Sequence, residues 1–476
     1  MSAIATRNYG LFIDGQWKET VNLDEVIDKC TGSVIGTVSV STKEDVDHAV
    51  ESAKKALRKS FHPYERYTVL KKAAEGLMAR QEELAVILAE EVGKPINEAR
   101  GEVARAAQTL EISAEEAKRI HGEGIPVEAA PGSENRQAYT KRVPVGVVAA
   151  ITPFNVPLNL ACHKIGPALA AGNSVILKPA EVTPITALVL AEVFEAAQLP
   201  PGRLHVLTGE GPAIGGWLLD NQDVNMFTFT GSPRVGQLIR GKAGLRKVAL
   251  ELGNNSATII HRDADISEAA TVTAQKSFNN AGQVCISVQR VYVHEEVYEE
   301  FLAKMKEVTN SLVVGNPKDE SVNIGPMIAE KEAIRVEQWV NEAVSSGAVI
   351  ETGGKREGVF YQPTILTNVH DDMKVCRQEV FGPVVAVTTY QTEEEVIARV
   401  NDSEYGLQAG LFTNNLAFAM KVADEIEVGG LMINDTSGYR VDQMPYGGVK
   451  KSGSGKEGPK YAIQEMTEER IVVFNL

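Results

Sequence analysis

Val145-Gly146-Val147-Val148-Ala149-Ala150-Ile151-Thr152-Pro153-Phe154-Asn155 reads as an apolar strand that breaks into a polar loop at Thr152-Pro153. A strand that is apolar at every position has both faces buried, the mark of a parallel sheet covered by helices on each side. The chain downstream repeats the pattern. Residues 158–171 have helical periodicity, 174–177 form a strand, 185–197 a helix, and strands follow at 204–207, 226–230 and 247–250. Short apolar strands alternating with amphipathic helices predict a doubly wound α/β sheet. A second α/β stretch covers residues 256–432, with strands at 291–293, 384–387 and 431–433.

Upstream, residues 11–13 run as a strand into Asp14-Gly15, a hairpin signal. Ser41-Thr42-Lys43-Glu44 opens a helix whose apolar face is Val46, Ala49, Val50, Ala53 and Leu57. Further helices are predicted around 69–92 and 96–120, parted by Gly93-Lys94-Pro95. Residues 122–144 hold Gly122, Gly124, Pro126, Pro131 and Gly132, which fits two short strands better than a helix. They form either a surface loop or a projecting hairpin for assembly. Residues 470–474 are a bare strand suited to pairing with another part of the assembly.

A chain of 476 residues is expected to fold as two or three domains, and 43% apolar with 23% charged residues is ordinary for a soluble protein. The net charge of -15 argues against nucleic acid and anionic membrane surfaces as partners. Cys30, Cys162, Cys285 and Cys376 form no CxxC pair, so neither a metal site nor a disulfide framework is expected. Residues 1–14 lack the pattern of a signal peptide, and no apolar run approaches the ~18 residues of a membrane span. A cytoplasmic location is expected.

Ligands of open α/β sheets bind beyond the carboxyl ends of the strands, and several reactive side chains fall there. Asn155 follows the first strand and offers an amide to a developing oxyanion, although alone it reads as a turn residue. Lys178 and Glu181 close the next strand and suit ribose hydroxyls, Glu181 in the manner of the acid that favours NAD over NADP. The run from Gly209 through Gly211 to Gly215 misses the dinucleotide spacing by one residue. Phe229-Thr230-Gly231-Ser232 opens a helix with donors for a pyrophosphate. Val248-Ala249-Leu250-Glu251-Leu252-Gly253 ends in a carboxylate beside a tight turn. Phe278-Asn279-Asn280-Ala281-Gly282-Gln283-Val284-Cys285 ends in a thiol where backbone N–H groups can reach a substrate. An isolated Cys285 would read as a buried small hydrophobe. Glu379-Val380-Phe381-Gly382-Pro383 sets an acid and an aromatic ring before a strand.

Taken in order, these segments resemble the NAD(P)-dependent aldehyde dehydrogenase superfamily over nearly the whole chain. The resemblance implies two doubly wound α/β domains and a projecting β element for assembly. Residues 1–121 and 145–251 would form the NAD-binding domain and 252–449 the catalytic domain. Residues 122–144 and 462–476 would build a homo-oligomer, a dimer or a tetramer. It implies Cys285 as the nucleophile, Glu251 as the base and Asn155 as an oxyanion donor. Ile151, Thr152, Pro153, Lys178, Glu181, Gly211, Phe229, Thr230, Gly231, Ser232, Leu252, Gly253, Glu379 and Phe381 would hold NAD, with NADP less favoured. No metal is implied. One departure stands out, because Gly253 is followed by Asn254 where the family usually has a second glycine.

Arg105, His163 and Arg440 lie in segments that resemble a subgroup handling lactaldehyde, non-phosphorylating glyceraldehyde-3-phosphate, phosphonoacetaldehyde and sulfolactaldehyde oxidation. The expected reaction is oxidation of a small anionic or hydroxylated aldehyde to its carboxylate through a thiohemiacetal and a thioester. A succinate-semialdehyde or aromatic aldehyde is the alternative substrate. An inactive scaffold on the same fold is the alternative of another class.

Overall fold

The computed structural model describes residues 7–476, so the first six residues of the 1–14 reading lie outside it. The first large sheet has five parallel strands at its middle, in the order Lys247–Glu251, Val224–Thr230, Val147–Ile151, Ser174–Lys178 and Leu204–Val206. The hairpin of Leu11–Ile13 and Gln16–Lys18, turned at Asp14-Gly15, closes one edge. Gly453–Ser454 pairs antiparallel with Lys247–Glu251 at the other. Alternate residues of the strands enter opposite cores. Val148, Ala150, Val175 and Leu177 face one set of helices, and Val147, Ala149, Ile176 and Phe227 the other.

From Val147–Ile151 the chain builds outward through Ser174–Lys178 to Leu204–Val206, then crosses back to Val224–Thr230 on the opposite side. That reversal opens a crevice at the carboxyl ends of Val147–Ile151 and Val224–Thr230. Helix Pro157–Ala171 runs from the crevice and is buried along its whole length, with Asn159, His163 and Lys164 carried inside. Proline at its first turn and Gly172 just past its end delimit it.

The second sheet is ordered Val349–Thr352, Thr364–Thr367, Val384–Tyr390, Arg290–His294, Ala257–Ile260, Gln408–Phe412 and Gly430–Ile433, and only Val349–Thr352 runs antiparallel. The sequence reading missed Ala257–Ile260, Thr364–Thr367 and Gln408–Phe412, and also the edge strand Val349–Thr352. The first two have four residues each, and the third carries a glutamine and a glycine that blur its apolar signal. The helix expected over 69–92 is two helices, Pro63–Ala79 and Gln81–Glu91. Arg80 leaves helical geometry between them, and its guanidinium pairs with Glu83 and Glu192. Strand 470–474 extends to Thr467–Asn475 and finds a partner within its own chain, pairing antiparallel with Arg136–Pro144 over nine residues. No described helix is long and apolar enough to cross a membrane.

Candidate active site

The loop before Cys285 holds three consecutive residues in the left-handed region, Asn280 (φ 49°), Ala281 (φ 55°) and Gly282 (φ 70°). Such geometry costs about 1–3 kcal/mol for each non-glycine residue, so its surroundings must enforce it. Glu98 accepts the Asn280 N–H at 3.1 Å, and Gln283 Oε1 accepts the Ile328 N–H at 2.9 Å. The Asn155 amide donates to the Gln283 carbonyl at 2.8 Å, and Asn280 Nδ2 donates to the Asn155 carbonyl at 3.2 Å. The loop after strand Val147–Ile151 and the Cys285 loop are thereby stitched together. A Cβ on Gly282 would lie 2.1 Å from the Gly382 carbonyl oxygen. Gly282→Ala is expected to cost about 3 kcal/mol or more through strain and overlap. Chemical denaturation checks this, and an unchanged midpoint would refute the interlock.

Cys285 Sγ lies 2.9 Å from the Tyr446 hydroxyl. Burial pushes the thiol up to about 11, although the Tyr446 hydrogen bond and the Arg440 charge pull it back. The Arg440 guanidinium lies 3.6 Å above the Tyr446 ring, and its Nη2 donates to Glu457 Oε2 at 2.9 Å. Lys164 Nζ donates to Glu457 Oε1 at 3.1 Å. Burial opposes the Glu457 charge, yet Lys164 and Arg440 hold its pKa down at about 2. Glu251 is buried, and its Oε2 has no hydrogen-bond partner. Burial and the neighbouring Glu457 raise its pKa well above the usual carboxylate range.

A cavity of about 460 Å³ brings together Asn155, Glu251 and Cys285 with Pro153, Thr230, Gly231, Ser232, Leu252, Gly253, Glu379 and Phe381. The remaining expected cofactor residues stand outside its wall. Ile151 ends its strand, Thr152 follows with its Oγ1 buried and unpartnered, and Phe229 belongs to the core. Glu181 accepts the Gly211 N–H and lies 3.8 Å from Lys178 Nζ, whose pKa burial lowers to about 8. The Asn254 side chain turns away from the cavity to donate to Ser256, while its backbone N–H donates to Glu379 Oε1 at 3.0 Å. Asn254 therefore positions Glu379 and does not crowd Glu251. Among the described residues no group of acidic, histidine and cysteine side chains is arranged to hold a metal ion.

Behind the Cys285 loop lies a second cavity, of about 400 Å³, lined by Val284, Ile286, Arg105 and Arg440 among others. Arg105 donates from Nε (3.1 Å) and Nη2 (2.8 Å) to Asp442. His163 Nε2 lies 2.9 Å from Asp442 Oδ1 and 3.1 Å from Arg440 Nη2, and Asn159 also donates to Asp442, at 3.0 Å. His163 is buried and does not line the cavity. The three expected substrate residues thus converge on one network, in which the two arginines are already paired with carboxylates.

Tyr446, Glu457, Asp442 and Lys164 were not singled out as site residues from the sequence. Tyr446 and Asp442 follow Arg440 in the same loop, and Lys164 follows His163, so proximity to residues already chosen was their one signal. Glu457 had none.

A thiol, a carboxyl and an amide gathered at the switch point of a doubly wound sheet, with an acid-flanked cleft beside them, define an oxidoreductase of the aldehyde dehydrogenase kind. The chain matches the Aldehyde dehydrogenase family over residues 17–472 and belongs to that family. It is 71% identical over 475 residues, all of both chains, to a 3-sulfolactaldehyde dehydrogenase of Priestia megaterium. It is 42% identical over 471 residues, 98% of this chain and 100% of the other, to a lactaldehyde dehydrogenase of Methanococcus maripaludis. Among solved structures, glyceraldehyde-3-phosphate dehydrogenase GapN from Methanocaldococcus jannaschii complexed with NADP matches with a TM-score of 0.92 and 40% identity, over 96% of this chain and 100% of that one. The inactive-scaffold alternative falls, and the protein is an enzyme.

Proposed function

We propose that this enzyme oxidises a small hydroxylated aldehyde with a distal anion, of the 3-sulfolactaldehyde kind, to its carboxylate, with NAD preferred over NADP. The observation that carries the reading is the cation-lined cavity on the far side of the Cys285 loop from the cofactor cleft. A 71% identical relative that bears the name of that substrate supports it.

The residues present fit a dinucleotide. Ser232 caps the helix Pro233–Ala243, whose N-terminus faces the cleft, and Thr152 Oγ1 and Asn155 Oδ1 are buried beside it without partners. Lys178 and Glu181 would hold the adenosine ribose, and Glu379 and Phe381 the nicotinamide end. Glu181 would repel a 2′-phosphate, which supports NAD. When bound, the nicotinamide accepts the hydride from the substrate carbon. Cys285 Sγ forms the bond to the aldehyde carbon, and the Asn155 amide with the Cys285 N–H stabilises the resulting oxyanion. The thiol proton leaves through Glu251 to solvent, which returns the carboxylate to its basic form, and after hydride loss the carbon remains bound as a thioester. Glu251 then takes a proton from water as the hydroxyl adds to the thioester and the thiolate departs. A small cavity of about 10 Å³ touching Glu251, Glu457 and Lys456 has room for roughly one water to carry that proton onward.

Glu251→Gln is expected to give one NADH per active site in a burst, then a steady-state rate lower by ~10²–10⁴-fold. Quenched-flow NADH traces test this, and an unchanged steady state would remove Glu251 from hydrolysis. The reading of the substrate is tested by kcat/KM with NAD and NADP for sulfolactaldehyde, lactaldehyde, succinate semialdehyde and benzaldehyde. Sulfolactaldehyde with NAD is expected to lead lactaldehyde by about a hundredfold, roughly 2.7 kcal/mol. A lead for lactaldehyde or benzaldehyde would sink the distal-anion reading.

Residues 1–121 and 145–251 are assigned as the cofactor domain, 252–449 as the catalytic domain, and 122–144 with 462–476 as the assembly element. Exposed Ile471, Val473 and Phe474 on the outer strand suit a second copy of the chain. Four cysteines without a disulfide suit the cytoplasm.

A further inference from the structure

The wall of the second cavity carries four cationic side chains, Lys94, Arg105, Lys276 and Arg440. Three are paired with acids, Lys94 with Glu102, Arg105 with Asp442 and Arg440 with Glu457, the last carboxylate being shared with Lys164. The remaining acid on the wall, Glu98, accepts the Asn280 N–H, and burial above all raises its pKa to about 7. The charges of Lys94 and Lys276 pull it the other way, so Lys276 acts on Glu98 through its charge alone, without an ion pair. Lys276 forms no ion pair and no hydrogen bond among the described residues.

Lys276 stands in the last turn of helix Ile266–Phe278, which delivers the chain into the Cys285 loop. A lysine there also complements the helix dipole. Its stem, however, lies along the substrate-side loop rather than out in solvent. A Cβ on Gly438 would come 3.1 Å from Lys276 Cβ and 3.3 Å from its Cδ, so the bare glycine makes room for the stem beside Tyr439 and Arg440. Opposite, Arg105 uses Nε and Nη2 on Asp442, leaves Nη1 unbonded, and keeps 39% of its side chain exposed.

Lys276 is the one cation on this wall without an ion pair or hydrogen bond among the described residues, so an anionic tail can engage it without displacing a bonded acid. We propose that Lys276 is the specificity residue that recognises the distal sulfonate or similar oxyanion of the substrate, with the free edge of Arg105 as second donor. This rests on the distal-anion reading above. A lysine is a compact charge on a flexible stem with three rotatable donors, suited to a tetrahedral oxyanion.

The test compares Lys276→Met and Lys276→Arg with wild type, on sulfolactaldehyde and on lactaldehyde, with NAD affinity and the far-UV spectrum as checks on folding. Lys276→Met is expected to lose about 10- to 100-fold in kcat/KM on sulfolactaldehyde, mainly through KM, and to stay within about twofold on lactaldehyde. Lys276→Arg should recover most of the loss. The decline of the wild-type sulfolactaldehyde kcat/KM with added salt should flatten in Lys276→Met. Equal losses on both aldehydes would make the lysine structural and overturn the assignment. If wild type prefers sulfolactaldehyde and Lys276→Met keeps that preference, only the Lys276 assignment falls. If wild type prefers lactaldehyde, the distal-anion reading falls, and the lysine assignment with it.

Discussion

Cys285→Ala is expected to abolish aldehyde oxidation, with kcat/KM lower by at least ~10⁴-fold, while cofactor affinity stays within about twofold. The sulfur is the one nucleophile at the junction of the two cavities, between Val284 and Ile286 on one side and the cofactor cleft on the other. Alanine removes it without disturbing the backbone, because the loop is held by Asn155, Glu98, Gln283 and Ile328 and not by the thiol. NADH formation and a fluorescence titration with NAD measure the two halves. Turnover within tenfold of wild type would end the nucleophile assignment.

The second large effect is on stability. Glu457→Leu should cost about 3–5 kcal/mol, because it leaves Lys164 and Arg440 buried without their shared carboxylate. The effect should depend on pH with a defined sign. The Glu457 pKa is lowered on folding, from 4.5 to about 2, so the carboxylate stabilises the fold above pH 4.5 and that contribution is lost as pH falls towards 2. The gap between wild type and Glu457→Leu should therefore be widest near neutrality and close in acid. Guanidinium unfolding midpoints at several pH values measure it, and a gap that widens in acid would refute the pairing. Activity should fall as well, since Arg440 anchors the ring of Tyr446 against the Cys285 thiol.

The first sheet was legible because its central strand is apolar at every position, so burial on both faces is written into Val147, Val148, Ala149 and Ala150, and its neighbours keep apolar cores between polar ends. The second was half legible. Thr364–Thr367 and Gln408–Phe412 gain their strand character from neighbours far along the chain, which local pattern does not record. At the site, Cys285, Glu251 and Asn155 sit next to strand ends and turns, where position and residue type together carry the signal. The network behind them was hidden. Arg105, His163, Asp442, Arg440 and Glu457 come from four separate segments, and their partnership exists only once helix Pro157–Ala171 is buried against them. Arg440 and Arg105 were expected at the substrate, but the acids that engage them carry no local mark. Lys276 was not noticed for the opposite reason, since being unpaired is a property of the assembled wall.

The two residues Gly453–Ser454 have a further consequence. They cap the edge of the strand that carries Glu251, yet they are made two hundred residues after it. During synthesis that strand has one open flank until residues 453 and 454 emerge, and an open flank is where chains stick to one another. The finished sheet, and with it the resting place of the base, is a late product of the ribosome. A chain released short of this point would carry every residue from Asn155 to Cys285 and still expose the edge that makes nascent proteins clients of chaperones.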